Sequence, residues 1–477
     1  QAGAARGCRG GGVIVIETPK ALAHELARRA RDLRAQALGE LAEEAKKGRK
    51  GPGTLTDLLA RFNQALATMT KEEFADAYAQ TITYGMLSAR WLSRDSVQRF
   101  TRANLPELLP PTSPFLRDLF QDLLSVNLEF NDNLRWLLDD ITSLLARTLV
   151  KQVFKGAQDP SIHFYQEFLE EYDPQIRRDR GVYYTPDAVV DYMVRTVDHL
   201  LRTRFNLRLG LADPTTWGKF GASIPAGANA GQHVVQILDP ATGTGTFLLH
   251  SLQVIFETMR AEYKRLEYDD ETAARAWVTY VRSDLLPRIN GFELMMAPYI
   301  VAHLRLGLAL ASGLAEENGL DVGRWGFRFA PDDRLRVFLT NTLELNTRPQ
   351  IMALGEHVAD EARQAELLKK ERPVLVVLGN PPYDRVASGV DASIQGFLVD
   401  KVPGRESNNS LFADILDVAR EHTIFSHHAS LYNLYVYFWR WAMWKALENP
   451  LAPGIVSFIT ASSWLTGPGF VGLRKLA

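Results

Sequence analysis

The stretch Arg372-Pro373-Val374-Leu375-Val376-Val377-Leu378-Gly379-Asn380-Pro381-Pro382-Tyr383 decides the fold. Its apolar, β-branched run reads as a strand buried on both faces, as in a parallel sheet covered by helices. It halts at Asn380-Pro381-Pro382-Tyr383, because two consecutive prolines fix φ and donate no backbone hydrogen bonds. A rigid polar-plus-aromatic turn thus stands at the carboxyl end of a central strand, where open α/β sheets bind ligands. Asn380 supplies an amide that donates and accepts, Pro381 a free carbonyl, and Tyr383 a flat ring. Together they suit a planar amine. Standing alone, the tetrapeptide would read as an ordinary strand-ending turn.

Working outward, Val234 to Asp239 is a second buried strand, this one ending in an acid. The small-residue turn Pro240-Ala241-Thr242-Gly243-Thr244-Gly245 then opens a helix at Thr246-Phe247. Glycines at 243 and 245 let backbone pass close to a ligand. Asp239 favours a cationic or hydroxyl-bearing ligand over a phosphate, and the turn lacks both a Walker lysine and the third glycine of the dinucleotide fingerprint. ATP and NAD are disfavoured. Ile289-Asn290-Gly291-Phe292-Glu293 is a further strand, with Glu293 where such folds hold a ribose diol. The interval from Asp239 requires an inserted helix, Thr272 to Leu285. Arg336 to Glu344 gives another strand, whose Asn341 either meets an adenine ring or caps the next turn. Gly454 to Thr460 completes five, an exposed edge with Ser462-Ser463-Trp464-Leu465 at its carboxyl end.

Between these strands, Met295 to Ala311 and the aromatic Leu431 to Leu447 read as core helices. Glu356 to Glu371 reads as a charged helix solvated on one face, and Gly389 to Ser410 as a loop able to order over a substrate. Residues 206–232 read as irregular.

The amino-terminal third is helical. Leu22, Leu26, Ala30, Leu33, Ala37 and Leu41 recur at spacings of three and four. Arg28, Arg29, Arg31 and Arg34 decorate that helix as a solvated face, diluted by Glu40, Glu43 and Glu44. Thr70 caps a helix with acids in its first turn, and the proline-rich 105–114 stretch separates two helical blocks. Gly181 to Pro186 is a compact turn, with Thr185 as cap and Pro186 in the first turn of the next helix. Val13 to Ile16 is a remnant strand, and both ends of the chain read as cut from a longer protein.

With 477 residues, 46% hydrophobic and 23% charged, the chain has the composition of a multidomain globular protein. A net charge of −2 supplies no global positive field, so any nucleic-acid contact must be local. The single Cys8 excludes an internal disulfide and fits a reducing compartment. No metal site is expected: the neighbouring His427 and His428 lack ligand spacing. No apolar run is expected to reach membrane-spanning length.

Jointly, Asp239–Leu248, Gly291–Leu294 and Asn380–Tyr383 resemble the cofactor and catalytic motifs of amino-group S-adenosylmethionine-dependent methyltransferases. Gly181–Pro186 resembles the extra cofactor motif of N6-adenine DNA methyltransferases whose target-recognition region comes last. Phe74–Arg90, His163–Tyr172, Met295–Leu306 and Leu339–Glu344 resemble the coupler-plus-methylase region of single-chain type ISP restriction-modification enzymes. The resemblance covers nearly the whole chain from Ala21.

It implies a Rossmann-like α/β sheet preceded by an all-α module, with boundaries at 1–20 (upstream remnant), 21–172 (helical coupler) and 173–477 (a catalytic domain lacking its last strands). It implies S-adenosyl-L-methionine over Thr185, Pro186, Asp239, Ala241, Gly243, Gly245, Thr246, Phe247, Glu293 and Asn341. Catalysis would fall to Asn380, Pro381, Pro382 and Tyr383 acting on the N6 amine of an adenine flipped from double-stranded DNA. The implied partners are a target-recognition domain and upstream nuclease and helicase domains, in a bacterial or archaeal cytoplasm. Without them, the chain is expected to fold but not to methylate a specific site. Two other readings stay open at this stage: a methyltransferase acting on protein glutamine or on a guanine amine in RNA, and a non-catalytic cofactor-binding coupling module.

Overall fold

The computed structural model describes residues 16–49, 51, 53–65, 69–94, 99–108, 112, 120, 124, 132–155, 160–172, 185–344, 356–383, 411, 415, 417–418, 431, 433–448 and 453–476. The remnant strand at 13–15, most of the 181–186 turn, the 389–410 loop and the 427–428 histidine pair lie outside them.

Helix α1 (Pro19–Lys47) begins at Thr18, whose hydroxyl accepts from the Ala21 N–H at 3.2 Å, and ends at Gly48 in the left-handed region. Its buried stripe is the expected one, Leu22 through Leu41. The charges are not all solvated. Arg29 is 5% exposed and its Nε donates to Asp140 at 2.6 Å, across 111 residues of sequence. Glu44 is also buried, accepting from the Leu55 and Thr56 N–H groups at the start of α2 (Leu55–Ala65). Helix α3 (Lys71–Leu92) opens with a capping box between Thr70 and Glu73. Helices α4 (Asp132–Arg147) and α5 (Pro160–Tyr172) pack with α3 against α1.

After α6 (Asp187–Arg204) comes the sheet. Strands β1 (Ile237–Asp239), β2 (Ile289–Glu293), β3 (Arg336–Leu339), β4 (Val376–Gly379) and β5 (Ile455–Phe458) are all parallel, in the order β3-β2-β1-β4-β5. Side chains alternate between two cores, as the pleat requires. Ile237, Ile289, Val337 and Val376 face α7 (Thr246–Arg265), α8 (Asp270–Tyr280) and α9 (Met296–Leu308). Leu238, Phe292, Phe338 and Val377 face α10 (Glu356–Lys370) and α11 (Leu434–Met443). The first core continues without a break into the helical layer, where α3 packs on α9. The architecture is a doubly wound α/β sandwich with an all-α layer against one side.

Three differences from the sequence reading have physical reasons. Strand β1 starts at Ile237 because Val234 pairs instead with Thr215 of the preceding segment, its N–H donating at 2.9 Å. The 206–232 stretch holds short helical turns, 210–212, bonded by Arg288 at Leu211, and 217–220, where the Trp217 and Gly218 N–H groups donate to the Gln232 and Ala230 carbonyls. The third is a helical run, Met296–Glu317, long and apolar enough to cross a membrane. This run was not expected; 78% of its apolar window is buried within the protein, where it forms the central helix between sheet and helical layer. Strand β5 is an edge of the sheet, as expected, but it is half-buried rather than exposed.

Arg288 is fully buried, and its Nη1 donates to the Leu211 and Asp213 carbonyls at 3.1 and 2.9 Å. Replacing it by methionine leaves both carbonyls without that donor. Arg288→Met is expected to lower stability by roughly 3 kcal/mol, read as a shift of the urea midpoint followed by circular dichroism.

Candidate active site

Parallel pairing sets the strand ends level. Asp239 pairs with Gly291, Glu293 with Leu339, and Gly379 with Phe458, so their following loops emerge along one edge. The chain winds from β1 outward through β2 and β3, then crosses to β4 on the other side of β1. The crevice at that reversal is where such sheets bind ligands.

On the β1 side, Asp239 is 1% exposed and its Oδ1 accepts from the Ala241 N–H at 3.0 Å. Glu293 is 7% exposed; its Oε2 accepts from the Gly243 N–H at 2.8 Å and its Oε1 from the Met295 N–H at 2.7 Å. Burial pushes the Asp239 carboxyl up to about 8, with the Ala241 N–H opposing and the Glu293 charge adding. Burial likewise pushes Glu293 up to about 7 against its backbone donors. The turn between them needs both glycines. Gly243 and Gly245 have φ of 54° and 82°. Gly245 backs onto α9, a Cβ there meeting Ala302 at 3.3 Å. Gly243 is open: the nearest atom to a Cβ built on it is the Ala241 carbonyl oxygen at 4.0 Å. Open space over a glycine turn, beside two desolvated acids, could take a cationic or hydroxyl-bearing ligand.

On the β4 side, Asn380 and Pro382 are half-buried and Pro381 buried. The Asn380 Nδ2 donates to Thr185 Oγ1 at 3.1 Å, bringing together residues 195 apart. The Tyr383 hydroxyl shares its proton between Asn380 Oδ1 and the Ile459 carbonyl, each at 2.9 Å. Its ring is tilted against Tyr435, and burial raises its pKa, so the phenol is a neutral donor. The two sides touch at Gly379, where a Cβ would lie 2.6 Å from Asp239 Oδ1.

Several residues sit otherwise than the sequence implied. Pro186, not Thr185, is the cap of α6, which starts at Asp187, and Thr185 spends its hydroxyl on Asn380 instead of on the helix. Phe247 is buried in the core beneath the turn; Ala241 and Thr246 stay half-buried beside it. Asn341 turns its Oδ1 to the Leu343 N–H at 3.1 Å, the turn-capping alternative. Helix α10 is not solvated along all its charges: Glu361 is buried, accepting from Tyr299 and Arg334, and Lys369 is buried beneath the β3 loop. Lys369 Nζ donates to Thr340 Oγ1 at 2.7 Å, the Asn341 carbonyl at 2.5 Å and the Glu344 carbonyl at 3.0 Å. Burial pulls this ammonium down to about 7. Among the described residues, no group of three or more His, Cys, Asp or Glu is placed to hold a metal.

No family model matches the chain, and no curated protein matches it. Its fold is nevertheless that of known structures. The chain is similar to the ATP-dependent Type ISP restriction-modification enzyme LlaBIII bound to DNA, with TM-score 0.62 and 19% identity over 96% of this chain and 26% of that one. A nuclease-deletion mutant of the Type ISP enzyme LlaGI with a DNA substrate mimic gives TM-score 0.59 and 18% identity over 98% of this chain and 31% of that one. A DrdV–DNA complex gives TM-score 0.53 and 19% identity over 96% of this chain and 37% of that one. The chain thus spans about a quarter to just over a third of the proteins whose fold it shares.

Two measurements test this geometry. A folded-state pKa above the unfolded one means that the native protein holds the extra proton, so stability is fully present near pH 4 and is lost as pH rises to about 8 for Asp239. Asp239→Asn keeps the acceptor for Ala241 but removes the titration. The wild-type-minus-variant stability difference should therefore fall across that window in urea titrations and level off above it. At the contact between the two sides, Gly379→Ala should cost about 2 kcal/mol by overpacking, measured the same way.

Proposed function

We propose that this chain is the methyltransferase portion of a DNA restriction-modification enzyme, with the N6 amine of adenine as the methyl acceptor. The single observation that carries the reading is the junction at Gly379, where the Asn380–Tyr383 turn abuts the carboxylate of the glycine-turn site. An amine-holding turn is useful only beside a group donor, and here no side chain separates the two.

Asp239, Glu293 and the open face of Gly243 would hold S-adenosylmethionine, with the buried acids favouring its positive charges and its ribose hydroxyls. When bound, it supplies an electrophilic methyl group carried on sulfur. Asn380 Oδ1 and the Pro381 carbonyl are acceptors for the two N–H groups of the base's exocyclic amine. Bonding those hydrogens in place holds the nitrogen lone pair away from the ring and aims it at the cofactor site. Tyr383 would exchange its contact with Asn380 for the face of the base, which frees the Asn380 acceptor. No covalent intermediate on the protein is required; positioning and electrostatics suffice. A base in a duplex must leave the stack to reach this turn. The DNA-bound Type ISP enzymes of like fold support nucleic acid as the substrate over protein glutamine.

The test is transfer of labelled methyl groups to an oligonucleotide carrying one adenine opposite an abasic site. A guanine-bearing RNA and a glutamine peptide serve as competing acceptors. Adenine is expected to be labelled, and Asn380→Ala to lose at least about 100-fold in rate while binding S-adenosylmethionine within threefold of wild type. Labelling of the RNA or the peptide instead, or cofactor binding with no acceptor labelled, would overturn the assignment.

A further inference from the structure

Helix α9 is packed on nearly every side with apolar residues, yet it carries a charged one, Arg305, that is 2% exposed. Its guanidinium reaches the back of the glycine turn. Nη1 donates to the Thr244 carbonyl at 2.7 Å, Thr244 Oγ1 at 3.2 Å and Thr246 Oγ1 at 3.2 Å. Those three oxygens flank Gly245, whose own backbone rests on Ala302 one turn earlier on the same helix.

A turn with two left-handed glycines has a broad choice of backbone states, because neither residue has a Cβ to restrict it. Something else must select one. From the open side, Glu293 fixes the Gly243 N–H, and the Thr242 N–H donates to the Phe292 carbonyl at 2.9 Å. From the back, Arg305 bonds Thr244 and Thr246, on either side of Gly245. We propose that Arg305 is a positioning residue of the cofactor turn, holding Thr244–Thr246 in the form that receives S-adenosylmethionine. This rests on the reading of residues 239–246 as the cofactor site. Arg305 touches no substrate, so its effect is on the population of the receptive turn: the apparent affinity falls by the fraction of chains that leave it.

The experiment uses the full chain and reads cofactor binding by calorimetry, without turnover. Ligands are S-adenosylmethionine and S-adenosylhomocysteine. Thermal midpoints are recorded without ligand. Arg305→Gln is expected to weaken both ligands roughly tenfold, and Arg305→Lys to recover part of the loss. The control is Arg336→Gln, which removes a part-buried arginine bonded to Asn290 Oδ1 at 2.8 Å at the amino end of β3, whereas the turn follows a strand's carboxyl end. It should lower the midpoint and leave both affinities within twofold. If wild type binds and Arg305→Gln binds equally well, or if Arg336→Gln weakens binding as much as Arg305→Gln does, the proposal fails. Should Arg305→Gln not fold, Arg305→Lys is read in its place, with about threefold weakening expected and unchanged binding counting against the proposal. Absence of binding by wild type would instead strike at the cofactor reading itself.

Discussion

Everything at the carboxyl edge of the sheet turns on the contact between the Asp239 carboxylate and the backbone of Gly379. Parallel pairing of β1 with β4 brings the two strand ends alongside, and the missing side chain lets them meet. Desolvating an acid is costly, and Asp239 offsets the cost by remaining largely protonated and by taking the Ala241 N–H. The Asn380–Tyr383 turn inherits its position from this arrangement. Asn380 follows Gly379 directly, so its placement is set by strand geometry, and its orientation by Thr185 and Tyr383.

Local pattern explains how much could be read in advance. Strand β2 runs from Ile289 to Glu293, the short acid-ended strand the sequence indicates, and α1 buries the face its spacing defines. The Thr70 capping box and the edge position of β5 were likewise legible. What escaped was long-range and polar. Arg29 reads as one of four surface arginines until Asp140 is folded against it, and Lys369 as part of a solvated helix until the β3 loop closes over it. Arg305 could have been noticed as a charge inside an apolar helix, but its partners lie about 60 residues earlier and no spacing rule points to them. Thr185 was assigned to a helix cap because caps are local, whereas its hydroxyl is used 195 residues away.

Among the candidate residues, the division is therefore physical. Glycines and strand-end acids announce themselves, since few residues tolerate those backbone states or that burial. Residues that hold such features in place are ordinary by type and become recognisable only through their contacts. The helical layer belongs to the second kind. Its Thr112 carbonyl accepts from the Leu335 N–H at 3.0 Å, just before β3, and the Thr112 hydroxyl meets His303 of α9 at 3.3 Å.

Helix α9 is thus shared property. One face receives α3 and Thr112 from the helical layer, while Ala302, Arg305 and Leu306 back the glycine turn. Thermodynamic linkage makes such sharing reciprocal: if occupancy of the turn favours one placement of α9, then whatever holds the helical layer in that placement tightens binding at the turn by the same factor. Such a linkage would need no catalytic residue in the helical layer, since α3, Thr112 and the glycine turn all meet on one helix.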